Sequence, residues 1–269
     1  MIKSIKYVLH EHIANIYRIF SIAKYEILSD VYDSKLGLFW NFANPAIQIF
    51  TYWFVFGVGI RGNSAVDGID FFNWMVAGLV PWFFIRPCIT IGANSIYAKV
   101  NIITKMKFPI SILPSTIVAK ELFNHICMMA IVVVVFSFQG YVPTIHWLWL
   151  FYYMVCIIAF GISLGLITSV LTMITRDVKK FINASMQMLM YLTPILWTMD
   201  KMPPAIVKIL KGNPVYYIVQ GYRDSMFYHQ NYALTYSNQT IFFWCLVIVL
   251  FVIGSVLMYK FKHRLIDMI

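Results

Sequence analysis

The stretch FWNFANPAIQIFTYWFVFGVGI, Phe39–Ile60, decides the fold of this chain. It is 22 residues long and contains no Asp, Glu, Lys or Arg. The hydrocarbon core of a bilayer is about 30 Å thick, and a helix needs about 20 residues to cross it. Because backbone amides inside lipid must be hydrogen-bonded within their own segment, the stretch predicts a membrane-spanning helix.

Five further apolar stretches follow along the chain. They are Phe71–Ile91, Leu122–Phe138, Trp147–Thr172, Phe181–Thr198 and Ile241–Tyr259. The whole set predicts an all-α membrane protein with six transmembrane helices, and it leaves little chain for a soluble catalytic domain. The composition agrees, since 61% of residues are hydrophobic and 12% are charged, whereas soluble domains average about 25% charged residues.

The positive charges predict the orientation. With a cytoplasmic N-terminus, the inner segments hold fourteen Lys and Arg residues and the outer segments hold five. Cytoplasmic loops carry such an excess, so we expect a multi-pass protein of the plasma membrane with both termini in the cytoplasm. The net charge of +10 suits contact with anionic membrane lipids. Because the charges are divided among short loops, no nucleic-acid partner is expected.

The chain divides into three regions. Residues 1–38 carry apolar residues at three- and four-residue steps from Ile2 to Ile27, which predicts an amphipathic helix in the plane of the membrane interface. It is either an anchor that orients the first span or a gate across a substrate entrance. The transmembrane domain covers 39–260, and its aromatic external loop, 199–240, predicts short helices that dip into the outer leaflet. Residues 261–269 form a cytoplasmic tail.

Nucleotide-binding, catalytic and metal-binding motifs are absent from the sequence. The dipeptide Gly-Lys does not occur, so there is no P-loop to cradle a nucleoside triphosphate. There is also no H-E-x-x-H, no G-x-S-x-G and no paired-cysteine pattern. We therefore predict neither a catalytic residue nor a metal ligand.

A few polar residues inside the apolar segments are candidates for function. Arg86 stands within the second span, toward its cytoplasmic side, and a charge at such a position is a functional candidate by default. It either reaches the interface or a partner, or it contacts an anionic headgroup in a cavity. Lys120, Glu121, Asn124 and His125 cluster at the start of the third span, as an interfacial polar cap or as a phosphate site that uses Lys120.

Aromatic side chains crowd the first two spans. They pack, face lipid, or stack on sugars along a path through the membrane. The candidates for such a path are Trp40, Phe42, Trp53, Phe56, Trp74 and Trp82, together with Tyr191 and Trp197 of the fifth span. In the fourth span, Gly161 and Gly165 form a G-x-x-x-G pattern, which permits close approach of another helix.

Several stretches, taken together, resemble one family over nearly the whole chain. They are LGLFWNFANPAIQI (Leu36–Ile49), AGLVPWFF (Ala77–Phe84), NIITKMKFPISILP (Asn101–Pro114), TRDVKKF (Thr175–Phe181), LTPILW (Leu192–Trp197) and NPVYYIVQGYRD (Asn213–Asp224). The family comprises the membrane subunits of ABC exporters that move lipid-linked polysaccharides, namely O-antigen, capsule and teichoic acid permeases. The stretches YWFVFGVGIRG (Tyr52–Gly62) and KMKFP (Lys105–Pro109) look most like the teichoic acid translocation permease.

The resemblance implies a half-transporter without a cofactor of its own. Two copies would work with two copies of a separate ABC ATPase subunit, which would bind ATP and Mg. The residues matching the family's contacts with the ATPase are Asn94, Lys99, Asn101, Lys105, Arg176, Asp177 and Lys179. Those matching its external re-entrant helices, which close the outer mouth, are Pro214, Tyr217, Tyr222 and Arg223.

The cargo implied by the resemblance is a polysaccharide on undecaprenyl pyrophosphate, with wall teichoic acid as the first expectation and O-antigen or capsule as the alternative. We hypothesise that two copies surround a path lined by spans 1, 2 and 5. The pyrophosphate would pair with Lys24, Lys35, Arg86 or Lys120. Two other classes stay open: a polytopic glycosyl- or phosphotransferase that uses the same lipid carrier, and a secondary transporter or channel.

Overall fold

The computed structural model describes residues 1–32, 36–37, 39–62, 64–100, 108–200 and 202–262. Within these ranges the chain consists of helices and turns, apart from one isolated β-bridge between Val66 and Ile69. The helices are α1 (Ile2–Ala14), α2 (Ile16–Tyr32), α3 (Phe39–Tyr52, continued as a π-helix over Trp53–Ile60), α4 (Phe71–Thr90), α5 (Ser95–Ala98), α6 (Leu113–Phe138), α7 (Trp149–Ile174), α8 (Asp177–Leu192), α9 (Pro204–Lys211), α10 (Pro214–Arg223), α11 (Tyr232–Thr235) and α12 (Ser237–Phe261).

Among the described residues, five helical segments are long and apolar enough to cross a membrane. They are Phe39–Ile60, Phe71–Ala98, Ile110–Phe138, Ile145–Ile174 and Ser237–Phe261. Each contains or overlaps one of the predicted spans, and the first coincides with its prediction. The prediction of an all-α membrane protein is confirmed.

The remaining predicted span, Phe181–Thr198, is helical only in part, so the prediction of six full-length transmembrane helices is wrong at this segment. Helix α8 has 16 residues and ends at Leu192, and Thr193 adopts an extended conformation with ψ of 134°. The cause is Pro194, because a proline disfavours the helical conformation of the residue before it and donates no backbone hydrogen bond. The chain continues to Thr198 in turns.

The third crossing helix begins earlier than predicted. Helix α6 starts at Leu113 instead of Leu122, with Pro114 in its first turn, where a proline costs no hydrogen bond. The polar residues from Lys120 to His125 therefore lie inside a continuous helix. The segment before Phe108, residues 101–107, lies outside the described residues.

The N-terminal region, where the apolar steps from Ile2 to Ile27 predict an amphipathic helix, forms two helices, α1 and α2, instead of one. Helix α1 ends at Asn15, whose side-chain amide donates to the carbonyl of Glu11 at 2.8 Å. Such local bonds compete with the helical ladder. Most of the predicted apolar stripe is exposed, including Ile13 and Phe20, and the buried side chains are Ser4, Val8, Ile19 and Ala23.

Helices α1 and α2 pack at the end of the bundle where α12 finishes, here called the terminal end. The Tyr7 ring lies 5.5 Å from that of Tyr259 near the end of α12. His12 Nε2 lies 2.7 Å from Ser115 Oγ at the start of α6, and burial lowers the pKa of His12. The opposite end, called the loop end, carries α9, α10 and α11.

Six segments connect the two ends of the bundle, although one of them is not a single long helix. Helix α8 starts at the terminal end, where Arg176 lies over the Tyr97 ring at 4.6 Å. The turns that follow α8 reach the loop end, where Thr198 Oγ1 accepts a hydrogen bond from Arg61, the residue after α3, at 2.7 Å. The fifth crossing thus consists of a short helix and an irregular extension.

Helix α4 lies at the centre of the bundle and packs against α6, α7 and α10. Fifteen of its 20 residues are buried. The predicted close approach at the G-x-x-x-G pattern of α7 is confirmed. A Cβ atom on Gly161 would lie 3.2 Å from Cys88 Cβ, and one on Gly165 would lie 2.8 Å from Pro114 Cβ. These glycines let α7 approach both α4 and α6.

Helix α3 contrasts with α4, because it packs almost entirely outside the bundle. Of residues Phe39–Ile60, only Gly57 is buried. Phe50 and Phe54 are 61% and 58% exposed. An apolar helix with so few neighbours faces either lipid or another protein chain.

Gly165→Ala should destabilise the protein by about 1–3 kcal/mol, because the new methyl group overlaps the rigid ring of Pro114. Thermal unfolding of the purified protein in detergent would measure this. Gly92→Ala is the matched control: no atom lies within 4 Å of its added Cβ, so we expect a change of less than about 0.5 kcal/mol. Equal stability of the two variants would contradict the proposed tight contact between α6 and α7.

Candidate functional site

The first candidate site is a cavity of about 360 Å³, here called the inner cavity, which begins near the terminal end. Helices α2, α3, α4 and α6 form its wall. The side chains that line it include Asp30, Trp40, Arg86, Lys120, Glu121 and His125. It therefore brings together predicted residues from three helices that are distant in sequence, namely Trp40 of α3, Arg86 of α4 and the Lys120–His125 cluster of α6.

The inner cavity carries two cationic side chains. Lys120 Nζ lies 2.6 Å from a carboxylate oxygen of Asp30, and this ion pair joins α2 to α6. Arg86 is exposed and, among the described residues, it forms no ion pair. A cationic side chain without a counter-ion beside a paired lysine is an arrangement that can take up an anion.

Polar side chains continue this wall toward the middle of the bundle. The Asn41 amide donates to Asn124 Oδ1 at 3.4 Å, and the Asn124 amide donates to Glu121 Oε2 at 3.2 Å. Pro87 follows Arg86 and has no N–H group, so the helix lacks one backbone hydrogen bond in the wall of the cavity. Membrane proteins tolerate such groups where they line a cavity or are buried in protein.

The deep end of the inner cavity is closed by His125 of α6 and Tyr222 of α10. His125 Nε2 and the Tyr222 hydroxyl are 2.9 Å apart. The His125 ring stacks on Phe84 with centroids 4.8 Å apart. His125 lies near the middle of α6, so α10 reaches about halfway into the bundle from the loop end.

A second cavity of about 300 Å³, the outer cavity, lies on the other side of α10 near the loop end. Trp74 and Trp197, both predicted to line a path, contribute to its wall together with Asp67, Asp200 and Asp224. Burial raises the pKa of Asp224 to about 6. The Gln220 amide donates to Asp224 Oδ1 at 2.7 Å, which opposes this shift.

Arg223 fixes α10 in place between the two cavities. Its guanidinium is buried and lies over the Trp74 ring at 3.4 Å from the centroid. It donates to the carbonyls of Pro194 and Ile195, each at 2.8 Å, and to that of Trp74 at 3.2 Å. Gly78 makes room for it, because a Cβ there would lie 2.5 Å from Arg223 Nη2.

The other predicted gate residues also lie on α10. Asn213 caps the helix by accepting from the Val215 N–H at 2.9 Å, and Pro214 follows at the first position. The Tyr217 hydroxyl lies 3.0 Å from both Tyr152 and Thr240. Eight of the ten residues of α10 are buried. The helix lies between the two cavity walls: Tyr222 contacts His125 of the inner wall, and Arg223 belongs to the outer wall.

The remaining candidates for a path are scattered. Trp82 is completely buried in the core and lines neither cavity. Phe42, Trp53 and Phe56 are half-buried on α3. Tyr191 is 50% exposed, and its carbonyl accepts from Trp197 Nε1 at 2.8 Å. A single copy of the chain does not enclose these side chains around one channel.

The predicted contacts with an ATPase lie together at the terminal end. Arg176 stacks on Tyr97 of α5, which joins the turn before α8 to the segment after α4. Lys99 forms an ion pair with Glu26 of α2. Asp177 pairs with Lys180 at 3.1 Å, and Lys179 is exposed. Asn94 is half-buried at the start of α5, whereas Asn101 and Lys105 lie outside the described residues.

Of the predicted phosphate ligands, the structure groups only Arg86 and Lys120. Lys24 is exposed on α2 and is not part of the inner cavity, and Lys35 lies outside the described residues. Sequence reasoning missed Glu26 and Asp30, the partners of Lys99 and Lys120. Their four-residue spacing on α2 was the available signal, since it places both carboxylates on one face.

The fold and the cavities define a membrane protein that crosses the bilayer several times and has no P-loop of its own. Residues 17–227 match the sequence profile of the ABC-2 type transporter family, and the chain belongs to this family. Proteins of this family are membrane subunits of transporters and work with an ATPase subunit. The predicted resemblance to ABC export permeases is thus confirmed at the level of the family.

Three relatives carry the name of an O-antigen permease. The chain is 29% identical over 235 residues to the O-antigen export system permease protein RfbA of Klebsiella pneumoniae, covering 86% of this chain and 87% of the relative. A second K. pneumoniae protein of that name is 27% identical with the same coverage. RfbA of Myxococcus xanthus is 26% identical over 213 residues, covering 78% and 80%. None of these three is a teichoic acid permease.

Arg223→Lys should destabilise the protein by about 1–3 kcal/mol, because one ammonium cannot replace three fixed guanidinium bonds and buried carbonyls lose their partner. Thermal unfolding of the purified protein would measure the loss. Arg61→Lys is the control: Arg61 bonds Thr198 at 2.7 Å in a partly exposed site, so a much smaller change is expected. Equal losses would show that Arg223 does not hold α10.

Proposed function

We propose that this chain is the membrane subunit of an ATP-driven exporter that moves a lipid-linked cell-surface polysaccharide out of the cytoplasm. The observation that carries the proposal is the inner cavity, in which Arg86 and Lys120 lie beside Trp40 in a chain of the ABC-2 family. A carrier lipid that bears a pyrophosphate and a glycan combines an anionic group with sugars. The guanidinium of Arg86 and the ammonium of Lys120 can bind the phosphate oxygens, and the Trp40 ring can stack on a sugar.

The relatives favour O-antigen as the polymer over wall teichoic acid. Three O-antigen permeases match over most of their length, and support for teichoic acid rests on two short stretches, Tyr52–Gly62 and Lys105–Pro109. Both polymers require the same handling of a carrier pyrophosphate. The choice between them is testable with carriers that bear either a neutral glycan or a polyol phosphate chain.

The ATPase would act on the terminal end of the bundle. The contact of Arg176 with Tyr97 links two cytoplasmic segments, so a push on either moves α4 and α8 together. Helix α8 is connected through its irregular extension to Arg223 and hence to α10. Movement at the terminal end thereby has a continuous mechanical route to the helix that separates the cavities.

A second copy of the chain would complete the path. Helix α3 and the outer face of α8 are apolar and exposed, including Phe50, Phe54, Phe181 and Met188. Because candidate path residues such as Trp53 and Tyr191 lie on these same helices, pairing of two copies along them would bring their aromatic rings together. Two copies would also match the symmetry that is most common among homo-oligomers.

The phosphate site predicts a specific loss of substrate response. In the complex with its ATPase, Arg86→Ala or Lys120→Ala should raise the concentration of lipid-linked glycan that half-maximally stimulates ATP hydrolysis roughly 10- to 100-fold, the loss of one charge-assisted hydrogen bond. Lys24→Ala should leave it unchanged, because Lys24 lies outside the cavity. Lys208→Ala, at the loop end, is the control. If Arg86→Ala and Lys120→Ala respond like wild type, the inner cavity is not the phosphate site.

The paired arrangement predicts cross-linking between copies. In a variant whose four native cysteines are replaced by alanine, a single cysteine at Phe54 on α3 should form disulfide-linked dimers in membranes under mild oxidation. A cysteine at Ile248 on α12 is equally exposed at 59% and should stay monomeric. Gel electrophoresis without reductant measures both. Dimers at position 248 but not at position 54 would place the interface elsewhere.

A further inference from the structure

Two carboxylates on the last turns of α2 tie this helix to two functionally different parts of the molecule. Glu26 and Asp30 are four residues apart and share one face of the helix. Glu26 pairs with Lys99, next to α5 in the predicted contact region for the ATPase. Asp30 pairs with Lys120 at 2.6 Å in the wall of the inner cavity.

We propose that Asp30 is an internal stand-in for the phosphate of the substrate, that is, an acidic group of the chain itself that binds Lys120 until a phosphate takes its place. In the absence of substrate, the Asp30 carboxylate forms an ion pair with the Lys120 ammonium group. When the substrate binds, a phosphate oxygen displaces the carboxylate from Lys120. This inference rests on the proposed function of the inner cavity and goes further, because it assigns an acidic residue as a competitor of the substrate. Asp30 and Lys120 both line the cavity together with Arg86.

The exposures of the two partners suit an exchange. The side chains of Lys120 and Asp30 are 17% and 40% exposed, and an ion pair of this kind contributes little net stability. A phosphate would be held by Lys120 and, in addition, by Arg86, which can bind two of its oxygens at once. The bound phosphate therefore makes more charge-assisted contacts than the carboxylate that it replaces. Until then, Asp30 neutralises a lysine that is mostly buried.

Glu121, the other acidic residue that lines the inner cavity, has a different role from Asp30. Glu121 is buried and accepts a hydrogen bond from Asn124 at 3.2 Å, so it is held on its own helix. Asp30, in contrast, lies on α2, a separate element that packs against α6. Of these two carboxylates, Asp30 is the one whose own ion pair joins two helices.

Release of Asp30 from Lys120 would let α2 move, and this movement would reach the region predicted to contact the ATPase. Glu26 lies one turn before Asp30 on the same rigid helix, and its ion pair with Lys99 connects that helix to the segment after α5. A displacement of α2 by bound phosphate therefore acts on Lys99 directly. The ion pairs Glu26–Lys99 and Asp30–Lys120, together called the latch, would transmit the binding of phosphate in the inner cavity to the region that contacts the ATPase.

Binding of phosphate probes to the full-length chain in lipid nanodiscs tests the stand-in role. The probes are inorganic pyrophosphate and geranylgeranyl pyrophosphate, and isothermal titration calorimetry gives the affinities. Asp30→Asn should bind both probes roughly two- to five-fold more tightly, the range expected when a weak competing ion pair is removed. Asp70→Asn makes the same change of charge at the loop end, on the exposed residue before α4, and should leave the affinity unchanged.

A double-mutant cycle separates failure of the inference from failure of the proposed function. Lys120→Ala should weaken binding at least 10-fold, and adding Asp30→Asn to it should give no gain. Unchanged or weaker binding by Asp30→Asn, with Lys120→Ala still defective, would overturn the stand-in role and leave the phosphate site intact. Normal binding by Lys120→Ala, or no binding by the wild type, would overturn both. If Asp30→Asn fails to fold, Asp30→Ser serves in its place.

The second half of the latch has its own measurement. In the complex with the ATPase, Glu26→Gln should lower the stimulation of ATP hydrolysis by lipid-linked glycan without changing pyrophosphate affinity. The exchanged pair Glu26→Lys with Lys99→Glu should restore it, because the ion pair is rebuilt with reversed charges. Normal stimulation in Glu26→Gln, or no restoration by the exchanged pair, would overturn the connection to the ATPase.

Discussion

The structure depends on how a membrane protein satisfies backbone carbonyls where a helix stops inside the bundle. Helix α8 ends before Pro194, and the carbonyls that follow have no helical partner. Arg223 supplies it, donating to Pro194 and Ile195 while its guanidinium covers Trp74. In an apolar environment an unpaired carbonyl is costly. The same bonds place α10 deep in the bundle and thereby create two separate cavities.

Because of this arrangement, two neighbouring residues, Tyr222 and Arg223, connect α10 to the walls of both cavities. Tyr222 bonds His125 at the deep end of the inner cavity, and Arg223 takes part in the wall of the outer cavity. A short rotation or withdrawal of α10 would disturb both contacts at once. The short helix α8 is tied to Arg223 through its extension, and in the proposed mechanism it would carry movement from the terminal end to α10.

Much of the fold follows from the sequence, because long uncharged apolar segments have few alternatives in lipid. Phe39–Ile60 was predicted with its observed bounds for this reason. The early end of α8 was missed, although Pro194 signals it, because hydropathy does not register the loss of a single N–H group. The break at Asn15 was missed for a similar reason: the Asn15 side chain bonds the Glu11 carbonyl, which its own backbone N–H also contacts, without any change in the apolar pattern.

The sites were less accessible from the sequence, because they depend on which helices become neighbours. Arg86 and Lys120 each stand out as polar residues in apolar segments, and so both were predicted. Their common cavity, and the pairing of Lys120 with Asp30, require the packing of α2 against α6. Trp82 was assigned to a path by residue type alone, and the core position it occupies follows only from the central place of α4.

The weak packing of α3 has a consequence for biogenesis. Among the described crossing segments it comes first in chain order, and it buries only Gly57 against the rest of the chain. Contacts with the folded bundle therefore contribute little to its direction of insertion. If the N-terminal region is cytoplasmic, as the charge distribution predicts, the basic residues before α3, such as Lys24, would set its topology instead. A change in these flanking charges would then misplace the aromatic helix, with few contacts in the rest of the chain to restore it.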